Sequence, residues 1–232
     1  MTIRIVKKDS QKTANWSGGT ATELFIYPPD ASYERKEFLF RISTALCTQE
    51  ESTFTILPGT RRILMPLDGN LRLQHAVRPP VDLAPGMCDA FSGEETTRSC
   101  GSCRDFNLML RGAAQGSMCY YRLRAGERIL VPAPAGAQLP ADAASAGQQP
   151  TIPGQVSAFS VPEPVFTGLY LWKGEVVLKD TADASRPLSM QAGDFALLSY
   201  GADAADHYNF SCSVCITAEM DAVLAATYIW GI

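Results

Sequence analysis

The sequence predicts an all-β chain built from two small barrels, and three observations carry that prediction. Apolar and polar residues alternate with a period of two in several runs. Turn-forming residues interrupt those runs at short intervals. One hairpin pattern occurs twice.

The alternation is clearest in Phe38–Leu46, where Phe38, Phe40 and Ile42 share one face and Arg41 and Ser43 the other. Leu71–His75 alternates too. In Arg104–Arg111, Phe106, Leu108 and Leu110 point one way and Asp105, Asn107 and Met109 the other. Turn signals stand at Pro28-Pro29-Asp30, Pro58-Gly59, Asp68-Gly69, Pro79-Pro80, Pro85-Gly86, Lys173-Gly174 and Ala192-Gly193-Asp194. Helical patterns are scarce, and the best candidate is Met220–Ala226.

The repeat sets the domain organisation. Leu67–Leu73 followed by Val81–Gly86 reads strand, glycine turn, strand, loop, strand, glycine turn. Leu171–Leu178 followed by Leu188–Asp194 reads the same. Small jelly-roll barrels are assembled from such hairpins. The expected division is a first barrel over 1–132 and a second over 155–232, with exchange of strands between them allowed. Residues 133–154, rich in Ala, Pro, Gly and Gln and without periodicity, are expected to form a mobile loop or insertion.

Composition narrows the function classes. Of 232 residues 46% are hydrophobic and 19% charged, as in an ordinary globular protein rather than a disordered one. The net charge of −4, with a pI of 5.2 and no basic run or stripe, speaks against a nucleic-acid partner. The N-terminus Met1-Thr2-Ile3-Arg4-Ile5-Val6-Lys7-Lys8 alternates instead of forming the apolar core of a signal peptide, and no run approaches the ~18 residues of a membrane span. A cytoplasmic protein with no membrane partner is expected.

Two histidines, His75 and His207, cannot furnish a three-histidine metal site, so no metal of that type and no cofactor is expected. His75 reads as a partly exposed strand residue and His207 as a loop residue. The seven cysteines are odd in number and follow no export signal, which favours reduced and mostly buried thiols. Cys100-Gly101-Ser102-Cys103 and Cys212-Ser213-Val214-Cys215 offer four thiolates to a zinc ion, but they lie far apart in sequence and the second pair falls in a predicted strand. Nucleophile elbows and phosphate-binding loops are absent, and the glycines of Trp16-Ser17-Gly18-Gly19 read as a bend.

Several motifs in order resemble the HutD/Ves family of bacterial cupin-like proteins. They are Trp16–Leu24, Phe40-Arg41-Ile42-Ser43, Phe54–Arg62 with its Phe-x-x-x-Pro-Gly-x-x-Arg pattern, Leu67-Asp68-Gly69, Phe91-Ser92-Gly93 and Asp105–Met109. The opening departs from the family pattern at Ser17 and at Thr22, where an arginine usually precedes the glutamate. The resemblance implies a bicupin, two cupin-type (RmlC-like jelly-roll) barrels in one chain. It also implies a metabolite-sensing role, tied to histidine utilisation in the HutD branch and to stress responses in the Ves branch.

The candidate site is the polar cluster of the matching segments: Trp16, Glu23, Arg41, Ser43, Arg62, Asp105 and Asn107. An arginine inside a small barrel is costly unless paired or bound to an anion. A planar guanidinium grips a carboxylate by two parallel hydrogen bonds. The preferred expectation is a pocket for a small carboxylate metabolite, anchored by Arg41 or Arg62. The alternatives are a structural ion pair such as Arg41 with Glu23 or Asp105, a metal-independent isomerase or hydrolase with Glu23 or Asp105 as general base, and a structural, partner-binding module. A homodimer through sheet edges is allowed, with nothing in the sequence to require it.

Overall fold

The computed structural model describes residues 1–131, 165–200 and 214–232. Nineteen strands occur among the described residues, with a single 3-10 turn at Lys8–Ser10. After β1 (Thr2–Val6), β2 (Lys12–Trp16) and β3 (Gly19–Tyr27) come two sets of eight. The first set is β4 (Phe40–Cys47), β5 (Glu51–Thr53), β6 (Thr60–Asp68), β7 (Leu71–His75), β8 (Val81–Leu83), β9 (Asp89–Ser92), β10 (Thr97–Cys100) and β11 (Cys103–Arg111). The second is β12 (Gln115–Leu123), β13 (Arg128–Val131), β14 (Phe166–Lys173), β15 (Glu175–Asp180), β16 (Leu188–Gln191), β17 (Phe195–Ser199), β18 (Val214–Ala218) and β19 (Ala222–Trp230).

The two sets pair identically. In the first, strands β4-β11-β6-β9 form one sheet and β5-β10-β7-β8 another; in the second, β12-β19-β14-β17 and β13-β18-β15-β16 do the same. Numbered within each set, that is one-eight-three-six against two-seven-four-five, the jelly-roll order. The glycine hairpins read from the sequence hold equivalent places: Gly69 joins β6 to β7 and Gly174 joins β14 to β15, both with positive φ. Strands β2 and β3 extend the first large sheet, giving β2-β3-β4-β11-β6-β9, and β1 extends the second beside β17.

By contacts the chain divides into two compact units, Asp9–Cys119 with Ile229–Ile232, and Met1–Lys8 with Tyr120–Tyr228. The expected first barrel, 1–132, included the N-terminal strand; the structure gives that strand to the other unit. The reason is pairing: β1 runs antiparallel to β17 from Thr2 opposite Ser199 to Val6 opposite Phe195. Asp194 then clamps the end of the segment, accepting from Lys7 Nζ at 2.8 Å and from the Lys8 backbone N–H at 3.0 Å. Residues 133–154 lie outside the described residues.

The helix expected over Met220–Ala226 is a strand. Ala222–Trp230 sits between β14 and β12, and most of its side chains are buried. Alanine favours a helix locally, but a central sheet position buries both faces and its small side chains fit there; tertiary pairing overrides propensity. Among the described residues no helix is long and apolar enough to cross a membrane.

The repeated turns give a test. A Cβ on Gly69 would lie 2.6 Å from the Ser102 carbonyl oxygen, and one on Gly174 would lie 2.4 Å from that of Asp221. Gly126 also has positive φ, but nothing lies within 4 Å of its Cβ position. Gly69→Ala and Gly174→Ala are therefore expected to destabilise by more than ~1 kcal/mol, and Gly126→Ala by less, as read by thermal denaturation.

Candidate functional site

Pairing of β4, β11 and β6 places the polar residues of the first unit in rows. Arg41 lies opposite Met109, which lies opposite Arg62; Ser43 lies opposite Asn107; Ala45 lies opposite Asp105; Cys47 lies opposite Cys103. Alternate residues share a face, so one face of this sheet carries Arg41, Ser43, Asp105, Asn107 and Arg62. The other carries Phe40, Ile42, Ile63, Met65, Phe106, Leu108 and Leu110. All are buried, and so are the polar residues of the first face. Two arginines thus stand inside a closed sheet layer, each only 6% exposed.

The arginines are treated differently. Arg41 donates from Nε to Glu23 Oε2 at 2.8 Å and from a terminal nitrogen to Ser43 Oγ at 3.1 Å, and its guanidinium lies 4.2 Å from the Tyr33 ring centre. The structural ion pair expected as the alternative role of an arginine is therefore present at Arg41. Arg62 forms no such ion pair among the described residues. Its guanidinium lies 4.7 Å from the Phe54 ring centre and 5.2 Å from that of Phe91. Its Nε–H is buried without a hydrogen-bond partner among the described residues. Burial pushes the Arg62 pKa down and the Arg41 charge adds to this, while Tyr33 and Asp105 oppose it.

Asp105 is 1% exposed. One carboxylate oxygen accepts from the Cys47 thiol at 3.3 Å and the other from Asn107 Nδ2. Burial raises its pKa from 3.8 to about 6; the Cys47 thiol, the Arg62 charge, the Ala45 backbone and the Asn107 amide all oppose the rise. The Oδ1 of Asn107 is buried without a partner among the described residues.

Trp16 joins the site through Phe54, 6.0 Å away between ring centres. Its ring folds over Gly18, where a Cβ would come within 2.2 Å of the indole; Gly19, at φ +146, lies against the Leu46 carbonyl. The two glycines thus make the bend and seat the indole. Trp16 Nε1 is buried and unpartnered among the described residues, like Arg62 Nε.

Three groupings emerge from the seven expected residues: Glu23, Arg41 and Ser43 are joined by hydrogen bonds, as are Asp105 and Asn107, while Arg62 and Trp16 share Phe54. Sequence reasoning missed Tyr33, Phe54, Phe91, Cys47 and Cys103. Phe54 and Phe91 were visible as motif residues without a role. The period-two face Arg41, Ser43, Ala45 extends to Cys47, which was the available signal for that thiol.

Other expectations need correction. His75 is buried, not partly exposed, because it shares the inward face of β7 with Leu71 and Leu73. Its Nε2 lies 2.9 Å from Asp89 Oδ2 and its Nδ1 lies 3.1 Å from Thr97 Oγ1. Arg78 donates to the same Asp89 at 2.6 Å. His207 and Cys212 lie outside the described residues. Of the described cysteines only Cys47 and Cys103 are buried; Cys100, Cys119 and Cys215 are half-buried and Cys88 is exposed. A cleft of about 530 Å³ is lined by Gly59, Thr60, Arg61, Phe91, Ser92 and Glu94, sharing Phe91 with the Arg62 site. Neither Glu23 nor Asp105 lines it.

The raised pKa of Asp105 predicts a pH effect on stability. Between the unfolded value of 3.8 and the folded value of about 6, the folded chain holds a proton that the unfolded chain has lost. The contribution of Asp105 to stability is thus greatest below 3.8 and falls as pH rises to about 6, by roughly 3 kcal/mol in all. Asp105→Asn should remove this slope. Denaturant unfolding at pH 4 and pH 7 is expected to show the variant gaining on the parent by that order as pH rises.

The sequence model of the HutD family matches residues 8–139, more than half of the 232. No curated protein matches the chain in sequence. The fold is similar to a conserved protein of unknown function, PA5104, from Pseudomonas aeruginosa PAO1, at TM-score 0.69 and 16% identity, with 99% of each chain covered. It is similar to HutD from Pseudomonas fluorescens SBW25 (formate condition) at TM-score 0.61 and 16% identity, over 99% of this chain and 100% of that one. A bacterial pirin, YhhW from Escherichia coli in complex with nickel(II), aligns at TM-score 0.54 and 9% identity, over 98% of each chain. A histidine-built metal site does not fit here: the chain has two histidines, and both ring nitrogens of His75 already face Asp89 and Thr97. The barrels are cupin-like, the polar cluster lies within the stretch that the family model matches, and the chain belongs to the HutD family.

Proposed function

We propose that this chain is a cytoplasmic small-molecule binding protein that takes a small carboxylate in the polar interior of its first unit, with Arg62 as the anchor. The single observation that carries this reading is the buried Arg62 guanidinium, lying against Phe54 and Phe91 with no partner for its Nε–H among the described residues. A buried charge left without hydrogen bonds is costly, and an anion that supplies two acceptors removes the cost. The aromatic faces keep the planar fork rigid, so little side-chain freedom is lost on binding. Arg41, already satisfied by Glu23 and Ser43, fixes the neighbouring wall instead.

The unpartnered Trp16 Nε1–H adds a second donor and the unpartnered Asn107 Oδ1 an acceptor. That set suits an acid carrying both a carboxylate and an N–H or O–H, such as an N-acylated amino acid. In line with the resemblance noted in the sequence, the role we assign is sensing an acid of histidine breakdown, without catalysis. Glu23 is held by Arg41 and Asp105 by a thiol and an amide, so neither of these two carboxylates is open to act as general base.

A thermal-shift screen with formate, N-formylglutamate, urocanate and other small carboxylates tests the reading. A true ligand at a hundred times its Kd adds about 2.7 kcal/mol. The shift is expected in the parent and absent in Arg62→Met, which keeps an apolar stem without the charge. A full panel without a shift, or a shift that survives Arg62→Met, would overturn it. Because the Asp105 and Arg62 charges act on each other, an ionised Asp105 opposes an anion at Arg62, so affinity for the carboxylate should rise as pH falls through about 6 and should lose that dependence in Asp105→Asn.

A further inference from the structure

The pairing of β4 with β11 brings together a second set of groups, of which the carboxylate reading uses only Asp105. Cys47 and Cys103 are direct cross-strand partners, and Asp105 follows Cys103 on the same face two residues on, opposite the small side chain of Ala45. The Cys47 sulfur, the Cys103 sulfur and an Asp105 oxygen all lie within 4.8 Å of one another, and all three residues are buried. The Cys47 sulfur is 3.3 Å from Asp105 Oδ2.

We propose that Cys47, Cys103 and Asp105 form a binding site for one thiophilic divalent cation of the zinc(II) class. A tetrahedral zinc with bonds of about 2.3 Å to sulfur and about 2.0 Å to oxygen sets its ligand sulfurs roughly 3.8 Å apart, and sulfur and oxygen roughly 3.5 Å apart. The Cys47 sulfur and Asp105 Oδ2, 3.3 Å apart, already stand close to that sulfur–oxygen separation, and the Cys103 sulfur lies within 4.8 Å of the Cys47 sulfur. The sheet fixes both thiols and the carboxylate through backbone register, so little ordering remains to be done. Outside the three donors, Asn107 Nδ2 holds the other Asp105 oxygen and turns Oδ2 toward the thiols, the orienting contact that metal-ligating carboxylates typically have.

Charge supports the same conclusion. Two thiolates and a carboxylate sum to −3, a divalent cation brings the set to −1, and the Arg62 guanidinium acting on Asp105 brings the neighbourhood to neutrality. Without a cation the Cys103 contact, burial and the Asp105 charge push the Cys47 thiol far up. Binding proceeds by exchange, with the ion displacing one proton from each thiol into solvent and no change in oxidation state. As a pair of packing cysteines the arrangement is harder to explain, since a buried carboxylate turned against two sulfurs costs free energy that an apolar residue would not.

Cobalt(II) titration of the reduced full-length protein under anaerobic conditions tests this. The expected result is one cobalt per chain, with a thiolate-to-cobalt charge-transfer band in the near ultraviolet and tetrahedral ligand-field bands in the visible, both abolished by added zinc. Cys47→Ala and Cys103→Ala should lose the charge-transfer band. Asp105→Asn, which keeps both thiols, should weaken binding at least tenfold, and Cys100→Ala should leave the spectrum unchanged. Should the alanine variants fail to fold, the Asp105→Asn and Cys100→Ala pair decides alone. Absence of the band in the parent, its persistence without Cys47 or Cys103, an undiminished affinity in Asp105→Asn, or recovery of a Cys47–Cys103 disulfide from the reduced sample in place of cobalt binding would each overturn the proposal.

Discussion

Burial of two guanidinium groups on one face of one sheet is the constraint from which the rest of the first unit follows. The register of β4, β11 and β6 leaves no freedom in this: with alternate residues sharing a face, an apolar layer of Phe40, Ile42, Phe106 and Leu108 on one side forces Arg41, Asp105, Asn107 and Arg62 together on the other. Charges so placed need partners. Glu23 and Ser43 serve Arg41, and Tyr33 covers it. Phe54 and Phe91 contribute stacking to Arg62 but no acceptor. That asymmetry is why we assign Arg41 to a structural ion pair and propose Arg62 as the binding anchor.

The neighbouring end of the same face is apolar. Cys47 and Cys103 pack with Phe54, Leu64, Leu71, Leu73, Leu83 and Phe91, with Trp16 against them. Asp105 stands at the border, facing thiols on one side and within electrostatic reach of Arg62 on the other. Asp105 is thus the group that adjoins both the proposed anion anchor and the thiols. The proposed carboxylate and cation sites are separate in their donors but share this one residue, which makes Asp105 the position where charge at one site is felt at the other.

Much of this was legible in the sequence because a period of two is a strong signal when one face is buried. It placed Arg41 with Ser43 and Asp105 with Asn107, opposite Phe40 and Phe106, and the structure agrees. The repeated glycine hairpins led to strand pairing that recurs in both eight-strand sets. Cross-strand partners were not legible: nothing local in Cys47 or Cys103 says that they stand opposite each other. The inward turn of His75 was available from its spacing to Leu71 and Leu73, but a polar residue at a strand end reads as exposed until Asp89 and Thr97 are known to meet it. The strand at Ala222–Trp230 was hidden by alanine's helical preference, which yields to sheet pairing in the interior.

The central claim is that Arg62, and not Arg41, receives the carboxylate through a nitrogen left unpartnered within the barrel. Side-chain proton–nitrogen spectra of the arginine Nε–H groups, assigned with Arg62→Met and Arg41→Met, read this directly. The account predicts that a binding carboxylate moves the Arg62 Nε–H resonance downfield, as a new charge-assisted hydrogen bond requires, and leaves that of Arg41 in place. An Arg62 resonance that stays fixed at saturating ligand, or a shift confined to Arg41, would contradict it.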